Sequence, residues 1–325
     1  TWKSGNRLRG FRNREEIGME NKVGTENKVG MENNVGMENN VGMEDKVGTG
    51  KMTAGIAMAL GILIVSNVAA QQAATVLGML PIPFLGAAAQ GIIYVLFAYY
   101  LIKLLITEFF KDSLCDYNIP RFGLDLKWLL AAFLLPLAVT GIYLCLPGQF
   151  VGSDMAMWET IETVIEAVLF YGIGAGILEE LVFRGMILHL LDARFGREIA
   201  IFAPSVLFGL LHIIGGGLGI FDAVLVLIAG TVVGVMFSLI ALEGKSIWNS
   251  AAVHAVWNTI MIGGILGIGE KASPYQICSY VLSSRHFAVT GGEFGVESSV
   301  IAVIGYFILC GVAYAGIRRK TETQN

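Results

Sequence analysis

The chain has 325 residues, 55% of them hydrophobic and 15% charged, with a formal net charge of -4. Soluble proteins carry about 25% charged residues, so an ordinary soluble domain is excluded, and the mild negative charge offers no basic surface for nucleic acid. The composition points to a polytopic membrane protein, an all-α helix bundle, with a different kind of segment at its start. The cysteines (Cys115, Cys145, Cys278, Cys310) show no paired spacing, so neither a zinc site nor a disulfide framework is expected from them.

The first 50 residues read as a low-complexity, disordered N-terminal tail. From Met19 a hexapeptide recurs as MENKVG, TENKVG, MENNVG, MENNVG and MEDKVG. One Val per unit buries too little apolar area to offset the entropy of ordering. A period of six also suits a left-handed β-helix, but too few units are present to stack. Lys3, Arg7, Arg9, Arg12 and Arg14 precede the repeats and suit contact with anionic lipid. No short apolar run with a small-residue cleavage site opens the chain, so a cleaved signal peptide is not expected.

Residues 51–325 read as an integral membrane domain. Apolar stretches of about 17–25 residues, enough to cross a bilayer, follow one another near 53–79, 85–106, 128–146, 163–190, 198–214, 219–241, 246–267 and 298–317. Pro81 and Pro83 force a turn after the first, while Pro136 and Pro204 sit inside spans, where neighbours can re-satisfy the freed carbonyls. Alternate connections carry Lys111, Arg121, Lys127, Arg194, Arg197, Lys245 and the tail Arg318, Arg319 and Lys320. The opposite ones carry only Lys271 and Arg285. Positive-inside bias then predicts eight spans with both termini cytoplasmic.

Three spans carry polar groups that lipid would reject. The fourth contains Glu179, Glu180 and Arg184, the fifth His212 one turn after Phe208, and the seventh His254 one turn before Asn258. Charges near the bilayer centre cost roughly 2.5–3.5 kcal/mol each on insertion scales, so these must be paired or face a wet cavity. Glu180 and Arg184 form an i,i+4 pair in the favourable orientation. Glu179 points about 100° away, on the side of Gly172 and Gly176, where small residues admit a neighbouring helix. Estimated depths place Glu179, His212 and His254 in the middle third of the bilayer, so one cavity can gather them. A hydrated cavity open to the cytoplasmic side is predicted.

EELVFR, Phe208 to His212 and His254 to Asn258 resemble the EExxxR, FxxxH and HxxxN motifs of the CPBP intramembrane proteases, the CAAX-protease and bacteriocin-processing (Abi) family. The three occur in the family order over about 158–265; the N-terminal repeats have no counterpart in its core. The resemblance implies glutamate-dependent proteolysis of a membrane-anchored protein or peptide. By analogy Glu179 with His212 activates water, His254 with Asn258 forms the oxyanion hole, and Glu180, Arg184 and Phe208 support the site. Two histidines plus glutamates also suit zinc, but no HExxH occurs and zinc usually takes three protein ligands plus water. A hydrolase with no required cofactor is therefore the favoured expectation.

Other polar residues have plainer readings. His189 is expected to cap the cytoplasmic end of its helix, and His286 to sit in an exterior loop without a special role. Glu159, Glu162 and Glu166 read as a solvated face, and Trp248 and Trp257 as interface or packing aromatics. Family relatives act on prenylated CAAX tails or in bacteriocin maturation and self-immunity. A bacterial cell membrane is the expected location, which makes a prenylated substrate doubtful. The alternative function is a non-catalytic membrane scaffold or immunity protein on the same fold. A solute transporter ranks last, because no matched broken helices relate the two halves. Substrate and oligomeric state are left open.

Overall fold

A computed structural model describes residues 48–214 and 217–324. The basic segment and the hexapeptide repeats lie outside the described residues. Among the described residues eight helices form the bundle: α1 (Thr49–Gly78), α2 (Leu85–Phe110), α3 (Leu126–Leu144), α4 (Met157–Phe195), α5 (Arg197–Ile213), α6 (Ile220–Gly244), α7 (Ile247–Met261) and α8 (Val300–Gln324). Among the described residues, six are long and apolar enough to cross a membrane: α1, α2, α3, α4, α6 and α8. The chain is thus an integral membrane protein. Helices α5 and α7, with 17 and 15 residues, are shorter than the ~20 residues a full crossing needs, and both bring motif residues to the interior. The seventh stretch ends at Met261, short of the expected 267, because Gly264 (φ 80°) turns the chain.

Loop contacts sort the helix ends into two groups. Lys51 Nζ donates to Phe110 O, Ile247 N to Asn118 O (2.8 Å), and Lys320 Nζ to Glu243 O (2.6 Å). These bonds gather the start of α1, the 111–125 loop, the end of α6 and the end of α8 with Lys127, which makes a basic end. The far end carries a three-stranded sheet that apolar periodicity did not reveal. β1 (Gly148–Gly152) runs antiparallel to β3 (Cys278–Leu282), pairing Gly148 with Leu282, and β2 (Leu266–Gly269) runs parallel to β3 on its other side. Tyr280 Oη donates to Leu146 O at 2.8 Å and ties this sheet to the end of α3.

Helix α4 has 39 residues, or ~58 Å at 1.5 Å per residue, far more than a bilayer core. Its first turns stand at the sheet end, where Glu159 Oε2 accepts a hydrogen bond from Ala156 N at 2.7 Å. Glu159, Glu162 and Glu166 are half-buried there, so the expected solvated face is partly covered. The bundle wraps around α4, with α1, α2, α5 and α7 packed on it. Two of these contacts depend on missing side chains. A Cβ at Gly176 would lie 2.9 Å from Ala255 Cα, and one at Gly230 would lie 2.6 Å from Gly209 Cα. Small residues thus let α7 approach α4 and α6 approach α5 at near backbone contact.

Candidate active site

Glu179 and Glu180 stand on one α-helical turn, Gly176–Glu180, between two π-helical stretches, Ala167–Ala175 and Leu181–Ile187. Wide turns of this kind recur at functional positions because they re-aim side chains. The Glu180 and Arg184 side chains are 0% and 1% exposed, with Arg184 Nη1 donating to Glu180 Oε1 at 2.8 Å. Arg184 Nη2 donates to Gly234 O on α6 at 3.0 Å. The guanidinium also lies 4.9 Å from the Phe208 ring and 5.1 Å from the Phe237 ring, where the aromatic faces favour a cation. The predicted pair is therefore present, and it binds α4 to α5 and α6.

The close α4–α7 contact delivers His254 between the two acids. Its Nδ1 lies 3.2 Å from Glu180 Oε1 and its Nε2 3.7 Å from Glu179 Oε2, with the ring stacked on Phe237 at 4.5 Å. A carboxylate already paired with Arg184 can only accept, so His254 Nδ1 carries a proton and donates. Its Nε2 is left facing Glu179. Asn258, one turn on, is buried and donates through Nδ2 to Tyr171 O at 3.0 Å, which commits one of its two N–H bonds to α4.

His212 arrives by the α5–α6 contact. Its Nδ1 donates to Phe208 O at 2.7 Å; since a carbonyl only accepts, Nε2 of the neutral ring keeps its lone pair. His212 lines two neighbouring cavities. One is bordered by His254, Asn258, Phe237 and Phe208. The other contains Glu179, with Asn67 of α1 and Tyr94 of α2 on its wall. Glu179 and His212 thus share a cavity, and His254 also approaches Glu179, at 3.7 Å. Glu179 Oε2, Glu180 Oε2 and Arg184 Nε are buried without a hydrogen-bond partner among the described residues.

Both cavities are lined from inside the bundle. Their linings hold mid-bundle residues and, from the segment before α8, Phe294 and Glu297; no residue of the 111–125 loop borders either. That loop folds over the basic end, where Trp248 Nε1 donates to Pro120 O at 2.8 Å. His189 does not cap a helix: α4 runs on to Phe195, and the imidazole packs 4.1 Å from the Tyr117 ring. His286 caps the single turn Phe287–Thr290 by accepting from Ala288 N at 3.3 Å. Trp257 packs on Tyr306 at 5.2 Å. Among the described residues no group of three or more His, Cys, Asp or Glu side chains is disposed to hold a metal ion.

Residues 161–260 match the family model described as type II CAAX prenyl endopeptidase Rce1-like. That stretch resembles the Rce1-like family. The chain is also 25% identical over 158 residues to a Bacillus subtilis (strain 168) protein described as "Putative membrane peptidase YdiL", a match covering 47% of this chain and 61% of that protein. No solved structure matches. The Rce1-like segment contains the three motifs, which supports the resemblance drawn from them.

Several residues around the Rce1-like segment escaped the sequence reading. Asn67 and Tyr94 face Glu179 from helices that precede it, and Glu297 faces His254 from a turn that follows it. Within it, Glu243 on α6 is buried, its Oε1 lying 2.6 Å from Lys127 Nζ and 2.8 Å from Lys320 Nζ, while its Oε2 accepts from Trp128 Nε1 at 2.9 Å. An acid in the last turn of an apolar helix was a visible signal. Its partners, more than 70 positions away in the chain, were not.

Proposed function

We propose that the protein is an intramembrane endopeptidase that hydrolyses a peptide bond in a membrane-associated protein or peptide, using water activated by Glu179. One observation carries the reading: Glu179 Oε2 is buried without a hydrogen-bond partner and faces His254 Nε2 across 3.7 Å. That gap is too long for a direct hydrogen bond, yet one water can lie within reach of both atoms. In this reaction the carboxylate takes a proton as the water oxygen attacks the carbonyl carbon, a contribution of typically 10²–10⁴-fold. His212 Nε2, held as an acceptor, supports the same water from the shared cavity. The imidazolium form of His254, which donates from both nitrogens, and the remaining N–H of Asn258 stabilise the oxyanion, at roughly 3–4 kcal/mol for a well-placed donor. Glu180, Arg184 and Phe208 fix these groups in place.

The substrate class follows from the Rce1-like segment and the CPBP motifs: CAAX-box proteins, or peptides matured or resisted in bacteriocin systems. Positive-inside bias assigns the basic end, and both chain termini, to the cytoplasmic face of a bacterial membrane. No metal is required in this scheme. Full inhibition by a membrane-permeant chelator, reversed by zinc, would replace it with a metal-dependent one. The decisive experiment compares membrane proteomes of cells carrying the native protein or Glu179→Gln at equal expression. Peptides cleaved only by the native protein are expected. Identical proteomes would favour a non-catalytic scaffold or immunity protein.

A further inference from the structure

The cavity beside His254 has a wall that the three motifs leave unassigned. Glu297 lies in the turn Val296–Ser298 just before α8, outside the matched segment, and lines this cavity with His254, Asn258 and His212. The turn is braced on three sides. Tyr306 Oη donates to Glu297 O at 3.0 Å, Ser298 Oγ donates to Gly291 O at 2.7 Å, and Tyr143 Oη lies 2.6 Å from Ser299 Oγ. A carboxyl on so constrained a turn keeps its direction before any substrate arrives. Glu179 lies in the adjoining cavity, which shares Phe208 and His212 with this one. Two carboxyl groups therefore border two neighbouring cavities that share the Phe208 and His212 side chains, one on each.

We infer that Glu297 is the acid of the hydrolysis, delivering a proton to the leaving amine while Glu179 receives the proton of the attacking water; this rests on the endopeptidase reading above. The water oxygen bonds to the carbonyl carbon as its proton passes to Glu179. The C–N bond of the tetrahedral intermediate then breaks, and the nitrogen keeps the bonding pair and takes the Glu297 proton. An acid and a free amine result, and the proton on Glu179 returns to Glu297 through solvent.

The surroundings suit a proton donor. Burial pushes the Glu297 carboxyl up to about 7, against a hydrogen bond from Trp257 that lowers it, so a protonated fraction persists at neutral pH. The titratable groups facing it are His254 from α7, His212 from α5 and Tyr306 from α8; α6 contributes Val226, Ala229, Gly230, Val233 and Phe237, none titratable. A carboxyl that merely tethered Trp257 would be indifferent to the leaving group, and that difference is measurable.

The test uses the full chain in proteoliposomes with two probes: an internally quenched peptide spanning a cleavage site found by the Glu179→Gln proteome comparison, and its analogue with sulfur replacing the scissile N–H. A thiolate, with a thiol pKa of about 8.5, departs without a donated proton, whereas an amide nitrogen needs one. Glu297→Gln is expected to lower kcat on the amide by on the order of 10²-fold, to change the thioester rate by less than about tenfold, and to flatten the alkaline fall in amide kcat. Glu297→Asp is expected to restore part of the amide rate, and it carries the comparison if the Gln variant does not fold. Glu179→Gln should depress both probes. Equal losses on both probes in the Glu297 variants, or no loss, would overturn the assignment while leaving the endopeptidase reading intact. A native protein that cleaves neither probe removes that reading, and this assignment with it.

Discussion

Two acid clusters are buried in this bundle, and they are built on opposite terms. At the basic end Glu243 Oε2 accepts from an indole N–H, and Oε1, though without a hydrogen bond of its own, is ion-paired with two ammonium groups, so the charge is neutralised. At mid-bundle two glutamates share one arginine and one imidazole, and Glu179 Oε2, Glu180 Oε2 and Arg184 Nε are left without partners. Buried polar groups in native proteins are normally satisfied, so orphaned ones call for an explanation. The first cluster ties α3, α6 and α8 together. The second has the unspent acceptor capacity that a water-activating site needs.

The largest predicted effect tests that contrast through chemistry. Glu179→Gln should lower turnover by about 10²–10⁴-fold while leaving the detergent-solubilised protein within about 1 kcal/mol of native stability, as expected for a group outside any saturated pair. Thermal unfolding measured beside a cleavage assay checks both halves. Unchanged turnover would show that the unsatisfied oxygen has no catalytic use. Arg184→Leu comes next and acts on stability. It strands Glu180 in the interior, and breaking a buried pair by removing one partner typically costs about 3–5 kcal/mol. Thermal unfolding of this variant close to that of the native protein would mean that Glu180 becomes hydrated, contrary to its burial.

The same operation at the basic end should cost less. Glu243→Gln leaves Lys127 and Lys320 with side chains 47% and 56% exposed, free to turn to solvent. The penalty then falls to about 1–3 kcal/mol, the scale of a buried hydrogen-bond acceptor exchanged for a poorer one. If Glu243→Gln proved as damaging as Arg184→Leu in thermal unfolding, partner exposure would not be what separates the two clusters.

The sequence displayed one cluster better than the other for a physical reason. Glu180 and Arg184 are four residues apart on one helix, so their pairing follows from helical geometry alone, and the packing face was visible in Gly172 and Gly176. Apolar runs likewise revealed eight helices, because each run satisfies its own backbone locally. Contacts made over long sequence separations were hidden. Lys127, Trp128 and Lys320 reach Glu243 only after three helices have packed, and β1 pairs with β3 at sequence separations of 126 or more. The π-helical stretches around Gly176–Glu180 have no residue signature, so the approach of His254 to both Glu179 and Glu180 became visible only in three dimensions.

Glu297 supplies a third case, a half-buried acid with no cation beside it, and it yields the smallest predicted effect. Burial raises its carboxyl from 4.5 to about 7 in the folded chain. Below the lower value both folded and unfolded states hold the proton, and the contribution to stability is complete. Between the two values the unfolded chain ionises while the folded one keeps its proton, so stability falls as pH rises, and above the upper value the loss is finished. After allowance for partial solvent screening, the loss should be on the order of 1 kcal/mol. Subtracting the pH profile of thermal unfolding of Glu297→Gln from that of the native protein isolates it, because Gln cannot ionise. Parallel profiles across the window would mean that the carboxyl is already solvated in the folded state. It would then differ from Glu180 and Glu243 simply by standing in water, and its burial without a cation would no longer set it apart from them.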